Sequence, residues 1–146
     1  MTRYLLDTNI ISEAVKATPA AELIDWLARQ DDDSLCIAAF SVAEIARGIL
    51  AKPQGRRRRQ LEAWFAGPEG PPQLFADSIL PFDLRAALAW ARLMAEGTST
   101  GQPRSALDMI VAAVAEANDC IVVTGNERHF RGVVEMINPL SGSAET

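Results

Sequence analysis

The sequence predicts an α/β protein built on a mainly parallel sheet, and three observations point there. Short apolar runs of strand length recur at residues 3–7, 34–40 and 119–125 (RYLLD, SLCIAAF, DCIVVTG). Segments with apolar residues at helical spacing fill the intervals between them. The late segment SALDMIVAAVAEAN, residues 105–118, is apolar on most of its circumference, as a helix buried against a sheet must be. Strands alternating with helices lead to a parallel sheet covered on both faces. In such sheets ligands gather beyond the carboxyl ends of the strands.

RYLLD ends an apolar run in an acid and reads as the first strand; NIISEAVK, residues 9–16, is a short helix with Thr8 or Asn9 as its cap. Residues 20–30 carry Leu23, Ile24 and Leu27 at helical spacing, and residues 34–40 form a second buried strand. Residues 41–51 and 56–66 are helices, separated by a Pro/Gly-containing turn. The Gly/Pro-rich patch Gly67–Pro72 reads as a surface loop, and ILPFD, residues 79–83, as a short extended segment. A helix over residues 84–97 is expected to stop at Gly97, with a loop to Arg104. The helix over 105–118, a strand over 119–125 and a last strand over 133–139 complete the alternation. A single domain spanning residues 1–140 is expected, with a polar flexible tail at 141–146.

The chain has 146 residues, of which 49% are hydrophobic and 23% charged, a composition that supports one substantial core. No apolar run reaches the length of a membrane span, and Asp7 interrupts the N-terminal apolar run before a signal-peptide core forms, so a cytoplasmic location is expected. Cys36 and Cys120 lie in apolar strands and read as two buried thiols rather than a disulfide; neither has a neighbour at zinc-ligand spacing. The net charge of −5 disfavours a surface that simply attracts phosphates. A carboxylate-built site is negative when empty, however, and a bound divalent ion reverses the local sign. The run Arg56–Arg59 reads as a solvated helix face, with an RNA path as the alternative; Trp64, Phe65 and Trp90 read as core or subunit interface.

The chemistry concentrates in a few acids. Asp7 emerges from the first strand, and its local alternative is a helix cap. Glu44 follows the second strand; with Ser41 it also has the form of a capping box, Ser-x-x-Glu. Asp108 lies in the first turn of the apolar late helix, where a buried carboxylate needs a partner and a cation would serve. Thr124 and Asn126 follow the strand CIVV, where a plain turn is the alternative. Each residue alone has an ordinary explanation. Together they bring three carboxylates and two polar side chains to one sheet edge. An oxygen-rich set of this kind suits Mg²⁺ or Mn²⁺, ions that activate water and stabilise charge on a phosphate. Neither a nucleophile elbow nor a phosphate-cradling glycine loop occurs, and His129 is the only histidine.

YLLDTNIISE, SVAEIARGI, SALDMIVAAVA and IVVTGNERHF, in this order and spacing, resemble the PIN-domain family, and within it VapC-type toxins, over nearly the whole chain. The resemblance implies a three-layer α/β/α PIN-like fold with a central, mainly parallel sheet. It implies a Mg²⁺-dependent endoribonuclease, with Mn²⁺ as a possible substitute, acting as the toxin of a type II toxin–antitoxin pair and hydrolysing RNA phosphodiesters by metal-activated water. It further implies a VapB-like antitoxin partner, an RNA substrate, a homodimer and a toxin–antitoxin hetero-oligomer. By the motif match Asp7, Glu44 and Asp108 are the metal-binding acids, Thr124 is the site hydroxyl, and Asn9 is the amide behind the first acid. The fourth acid is absent from both of its usual places, which hold Asn126 and His129; Asn126 and Glu127 are the candidates to replace it. Arg85 and Arg104 are candidate RNA contacts. The rival functions are a PIN fold with a weakened site acting as a binding module, and a DNA-directed nuclease. A phosphatase or receiver domain built on Asp7 fits poorly, because no lysine follows Lys52.

Overall fold

The computed structural model describes residues 1–140; the expected tail at 141–146 lies outside the described residues. Five strands form one all-parallel sheet: β1 (Arg3–Leu6), β2 (Leu35–Ala38), β3 (Ile79–Leu80), β4 (Cys120–Val123) and β5 (Met136–Ile137), in the order β3-β2-β1-β4-β5. The helices are α1 (Thr8–Ala14), α2 (Ala21–Ala28), α3 (Ala39–Leu50), α4 (Arg56–Ala66), α5 (Pro71–Leu74), α6 (Leu84–Ser99), α7 (Ala106–Ala117) and α8 (Glu127–Phe130).

The pleat sends alternate residues to opposite faces, and each face carries its own core. Leu5, Cys36, Ala38 and Val122 pack against α6, α7 and Phe130. Leu6, Ile37 and Val123 pack against Ile10 and Ile11 of α1, Leu23 of α2 and Trp64 of α4. The run from Val111 to Ala115 is buried without a break, so α7 is a core helix as its composition requires. Trp90 packs at the margin of the first core and its indole donates to the Ala106 carbonyl at 3.0 Å. Cys36 and Cys120 are buried free thiols. None of the described helices is long and apolar enough to cross a membrane.

Several boundaries differ from the sequence expectation. Helix α6 runs past Gly97 and ends at Ser99, because Gly101, at φ 72°, is the left-handed residue. Gly101 N–H donates to the Thr98 carbonyl at 3.1 Å and Gln102 N–H to that of Gly97 at 3.0 Å, which closes the helix as a Schellman motif. Gly97 is instead a buried position in the last turn of α6, over which the Arg104 stem lies; a Cβ there would sit 2.9 Å from Arg104 Cγ and Cδ. The Gly67–Pro72 patch is not a free surface loop: Gly70 and Pro71 are buried and open the short helix α5.

The strand order carries the main functional consequence. From β1 the chain moves outward through β2 and β3, then returns to the other side of β1 for β4 and β5. The crossovers therefore diverge between β1 and β4, and a crevice opens at the carboxyl ends of these two strands. Asp7 N–H donates to the Val123 carbonyl there at 2.9 Å, joining the two strand ends.

Candidate active site

A cleft of about 550 Å³ opens at this crevice. It is lined by Asp7, Glu44 and Asp108, by Asn9, Gly125 and Asn126, and at its margin by Glu13 and Lys16, which pair with each other at 2.8 Å. Three segments widely separated in sequence supply the acids, and the parallel topology delivers all of them to one sheet edge.

Asp7 caps α1 through the bond from Thr8 N–H to Oδ1 at 2.9 Å, so the helix cap is Asp7 and not Thr8 or Asn9. The cap and the site are one residue: Oδ2 accepts from the Thr124 hydroxyl at 2.9 Å and from Asn9 Nδ2 at 3.1 Å. Thr124 is fully buried, and its hydroxyl in turn accepts from Asn126 N–H at 2.9 Å. Asn9 Oδ1 accepts from Gly125 N–H at 3.0 Å. The amide of Asn9 thus ties the acid at the end of β1 to the turn after β4. Asp7 is only 5% exposed, and burial pushes its carboxyl above the usual carboxylate range. The bonds from Thr124 and Thr8 oppose that shift, while the nearby charges of Asp108 and Glu44 add to it.

Glu44 does not form a capping box. The helix begins earlier, at Ala39 with Ala38 as its cap, so Ser41 and Glu44 both lie inside α3. The Ser41 hydroxyl is buried with no hydrogen-bond partner in the protein. Glu44 Oε1 instead accepts from the Thr8 hydroxyl at 2.7 Å, across 36 residues of sequence. Thr8 is a site residue that sequence reasoning missed. Its adjacency to Asp7 was the available signal, but its partner on α3 was not visible.

Asp108 stands in the first turn of α7, which Ser105 caps by accepting from Asp108 N–H at 3.3 Å. Its carboxylate turns to α8, with Oδ2 2.7 Å from His129 Nδ1. Glu127 points elsewhere: its oxygens accept from Asn138 Nδ2 at 2.9 Å and from Arg131 at 3.1 Å, and it is not among the residues that line the cleft. Asn126 does line the cleft. Arg104 packs back on α6: its Nη1 donates to the Leu93 carbonyl and lies 3.6 Å from Glu96 Oε1. Arg85 is exposed at the start of α6, outside the cleft lining. In the Arg56–Arg59 run, Arg58 pairs with Glu62 at 3.3 Å. Arg57 lines a shallow groove that reaches Thr8 and Glu44.

The donors that meet here are carboxylate, amide and hydroxyl oxygens, a set that fits a hard divalent cation. The fit is an open one. Among the described residues no three acids, histidines or cysteines are close enough to enclose an ion directly, so an ion would keep part of its water shell, as Mg²⁺ ordinarily does. The raised Asp7 carboxyl is consistent with this, because a cation offsets both its burial and its acidic neighbours.

The comparisons with known proteins agree with the geometry. The chain is 35% identical over 136 residues to the VapC ribonuclease Y4jK of Sinorhizobium fredii, covering 92% of this chain and 96% of that one. It is 30% identical over 136 residues to the toxin FitB of Neisseria gonorrhoeae, with 92% and 96% covered. The crystal structure of FitAcB from Neisseria gonorrhoeae superposes with a TM-score of 0.84 at 29% identity, covering 93% of this chain and 97% of that one. The PIN-domain model matches residues 4–135, a span that contains every acid of the cleft. On sequence and on fold alike, the chain belongs to the PIN-domain family.

Proposed function

We propose that the chain is the toxin of a type II toxin–antitoxin pair, a divalent-metal-dependent endoribonuclease of the cytoplasm. The observation that carries this reading is the convergence of Asp7, Glu44 and Asp108 on one cleft at the divergence point of the sheet. The names of the relatives, a ribonuclease and a toxin, support it.

Asp7, Glu44 and Asp108 would hold one Mg²⁺ or Mn²⁺, in part through its waters. The ion supplies a lowered pKa for water and a positive charge to offset that of the phosphate in the transition state. The chain's own residues set the geometry. Thr124 and Asn9 hold Asp7 Oδ2 from two sides, and Thr8 holds Glu44 Oε1, so neither acid has to reorganise when an ion or RNA arrives. With Asn126 and His129 at the places of a fourth acid, the cleft is built for one ion rather than two. Its open shape admits a single strand or a loop of RNA. A VapB-like antitoxin is the expected partner. A homodimer is also expected, and the exposed apolar side chains Phe82, Leu84 and Leu88 at the head of α6, with Leu107 on α7, offer it a surface.

The test is incubation of the antitoxin-free protein with total tRNA and rRNA at low salt, in Mg²⁺, Mn²⁺ and EDTA, beside Asp108→Asn. Discrete cuts that require metal and vanish in the variant are expected. A folded protein that binds Mn²⁺ but cuts no RNA would instead favour a PIN-fold binding module, the reading that the missing fourth acid supports.

A further inference from the structure

His129, on α8, meets Asp108 at the head of α7. His129 is the chain's only histidine. It sits on an anchored turn: Phe130 beside it is fully buried, and Glu127 is held by Asn138 and Arg131. His129 N–H donates to the Asn126 carbonyl at 3.1 Å, and Asn126 N–H is bound in turn by Thr124. The ring is thus carried by the same backbone that carries the Thr124 end of the site. Its Nδ1 lies 2.7 Å from Asp108 Oδ2, and of these two groups only the ring can donate, because an ionised carboxylate only accepts.

We propose that His129 is a positioning residue for Asp108: by donating from Nδ1 to Oδ2 it fixes the carboxylate's rotation and leaves the other oxygen to the cleft. This rests on the reading of Asp108 as a metal-binding acid. A carboxylate swings easily about its last torsion, and pinning one oxygen removes that freedom before an ion arrives. An acid at position 129 would add a second negative charge beside Asp108. An imidazole adds none and contributes a directed donor. The replacement thus exchanges a possible ligand for a brace, in keeping with a site that holds one ion.

Mn²⁺ alone is the probe, titrated into the full chain and followed by electron paramagnetic resonance of the free ion. His129→Ala is expected to weaken binding roughly 10- to 100-fold, as loss of a partner of a ligating side chain does. His129→Asn, whose amide nitrogen can stand where Nδ1 stands, is expected to restore affinity to near that of the wild type. The ring is 42% exposed, so both variants should fold, and a far-UV spectrum checks this. Because there is one histidine, its imidazole ¹⁵N signals identify themselves in the tag-free protein; the neutral ring is expected as the Nδ1–H tautomer. Three results would overturn the inference: His129→Ala binding Mn²⁺ like the wild type, His129→Asn binding as weakly as His129→Ala, or an Nε2–H tautomer. Asp108→Asn separates the layers. If it loses Mn²⁺ while His129→Ala keeps it, only the role of His129 fails. If Asp108→Asn itself binds normally, the metal reading of Asp108 fails, and the brace with it.

Discussion

Thr124→Val tests whether the buried hydroxyl holds the site together. Valine matches threonine in shape, so the substitution removes little but the oxygen. That oxygen donates to Asp7 Oδ2 at 2.9 Å and accepts from Asn126 N–H at 2.9 Å, in a residue with no exposed surface. A hydrogen bond to a charged group is worth roughly 1.5–3 kcal/mol. Asn126 is exposed, so water can take over its N–H and the second loss is small. The added methyl returns less than about 1 kcal/mol, because it faces a carboxylate rather than the core. The net expectation is a loss of about 2 kcal/mol, or a fall in melting temperature of roughly 4–8 °C for a chain of this length. Thr124→Ser is the control: it keeps the hydroxyl and deletes one methyl, at a cost of about 1 kcal/mol. Urea unfolding in EDTA, followed by tryptophan fluorescence, measures both variants in the absence of metal. A valine variant as stable as the serine variant would refute the reasoning, and would mean that the Thr8 N–H and the Asn9 amide hold Asp7 without the hydroxyl.

Four further outcomes follow from the same geometry. The Asp7 carboxyl is raised above its ordinary 3.8 chiefly by burial, so the folded state binds this proton more tightly than the unfolded chain does. In EDTA its contribution to stability should therefore be lost as pH rises through the elevated value and gained as pH falls toward 3.8; urea midpoints across that range check the sign, and Mg²⁺ at neutral pH should recover the loss. Gly70→Ala should destabilise by about 3 kcal/mol or more, since its Cβ would lie 2.1 Å from the Phe65 carbonyl oxygen and 2.4 Å from that of Trp64, backbone atoms that cannot turn aside. Gly48→Ala, in α3 with nothing within 4 Å, should stabilise by up to about 1 kcal/mol in the same urea-unfolding assay. Arg104→Ala should cost about 1.5–3 kcal/mol through its lost bond to the Leu93 carbonyl, and should leave RNA affinity unchanged in a filter-binding assay.

Much of the fold was legible because strand and helix periods are local. The apolar runs at residues 3–7, 34–40 and 119–125 became β1, β2 and β4, and the all-apolar segment became the core helix α7. The three acids were legible for a related reason. In a parallel α/β chain every strand ends at the same edge, so an acid soon after a strand, or at the head of a following helix, is already placed. Local rules failed where two of them competed. Ser41 and Glu44 satisfy the capping-box pattern, but β2 ends at Ala38 and the helix starts before the box can form. Gly97 satisfies the stop pattern, but Gly101 takes the left-handed turn and Gly97 makes room for Arg104.

The sequence by itself determined which residues are candidates for the chemistry: a parallel sheet, three carboxylates at its carboxyl edge, and Asn126 and His129 at the usual places of a fourth. Only the tertiary structure decided how they are held. Thr8 meets Glu44 across 36 residues, Asn9 meets Gly125 across 116, and Thr124 meets Asp7 across 117. No periodicity records such pairs, because each depends on strand order and helix docking, which are set by burying both faces of the sheet at once. The same holds for His129. Its spacing marks an absent acid, and only the docking of α8 beside α7 places its ring nitrogen against Asp108.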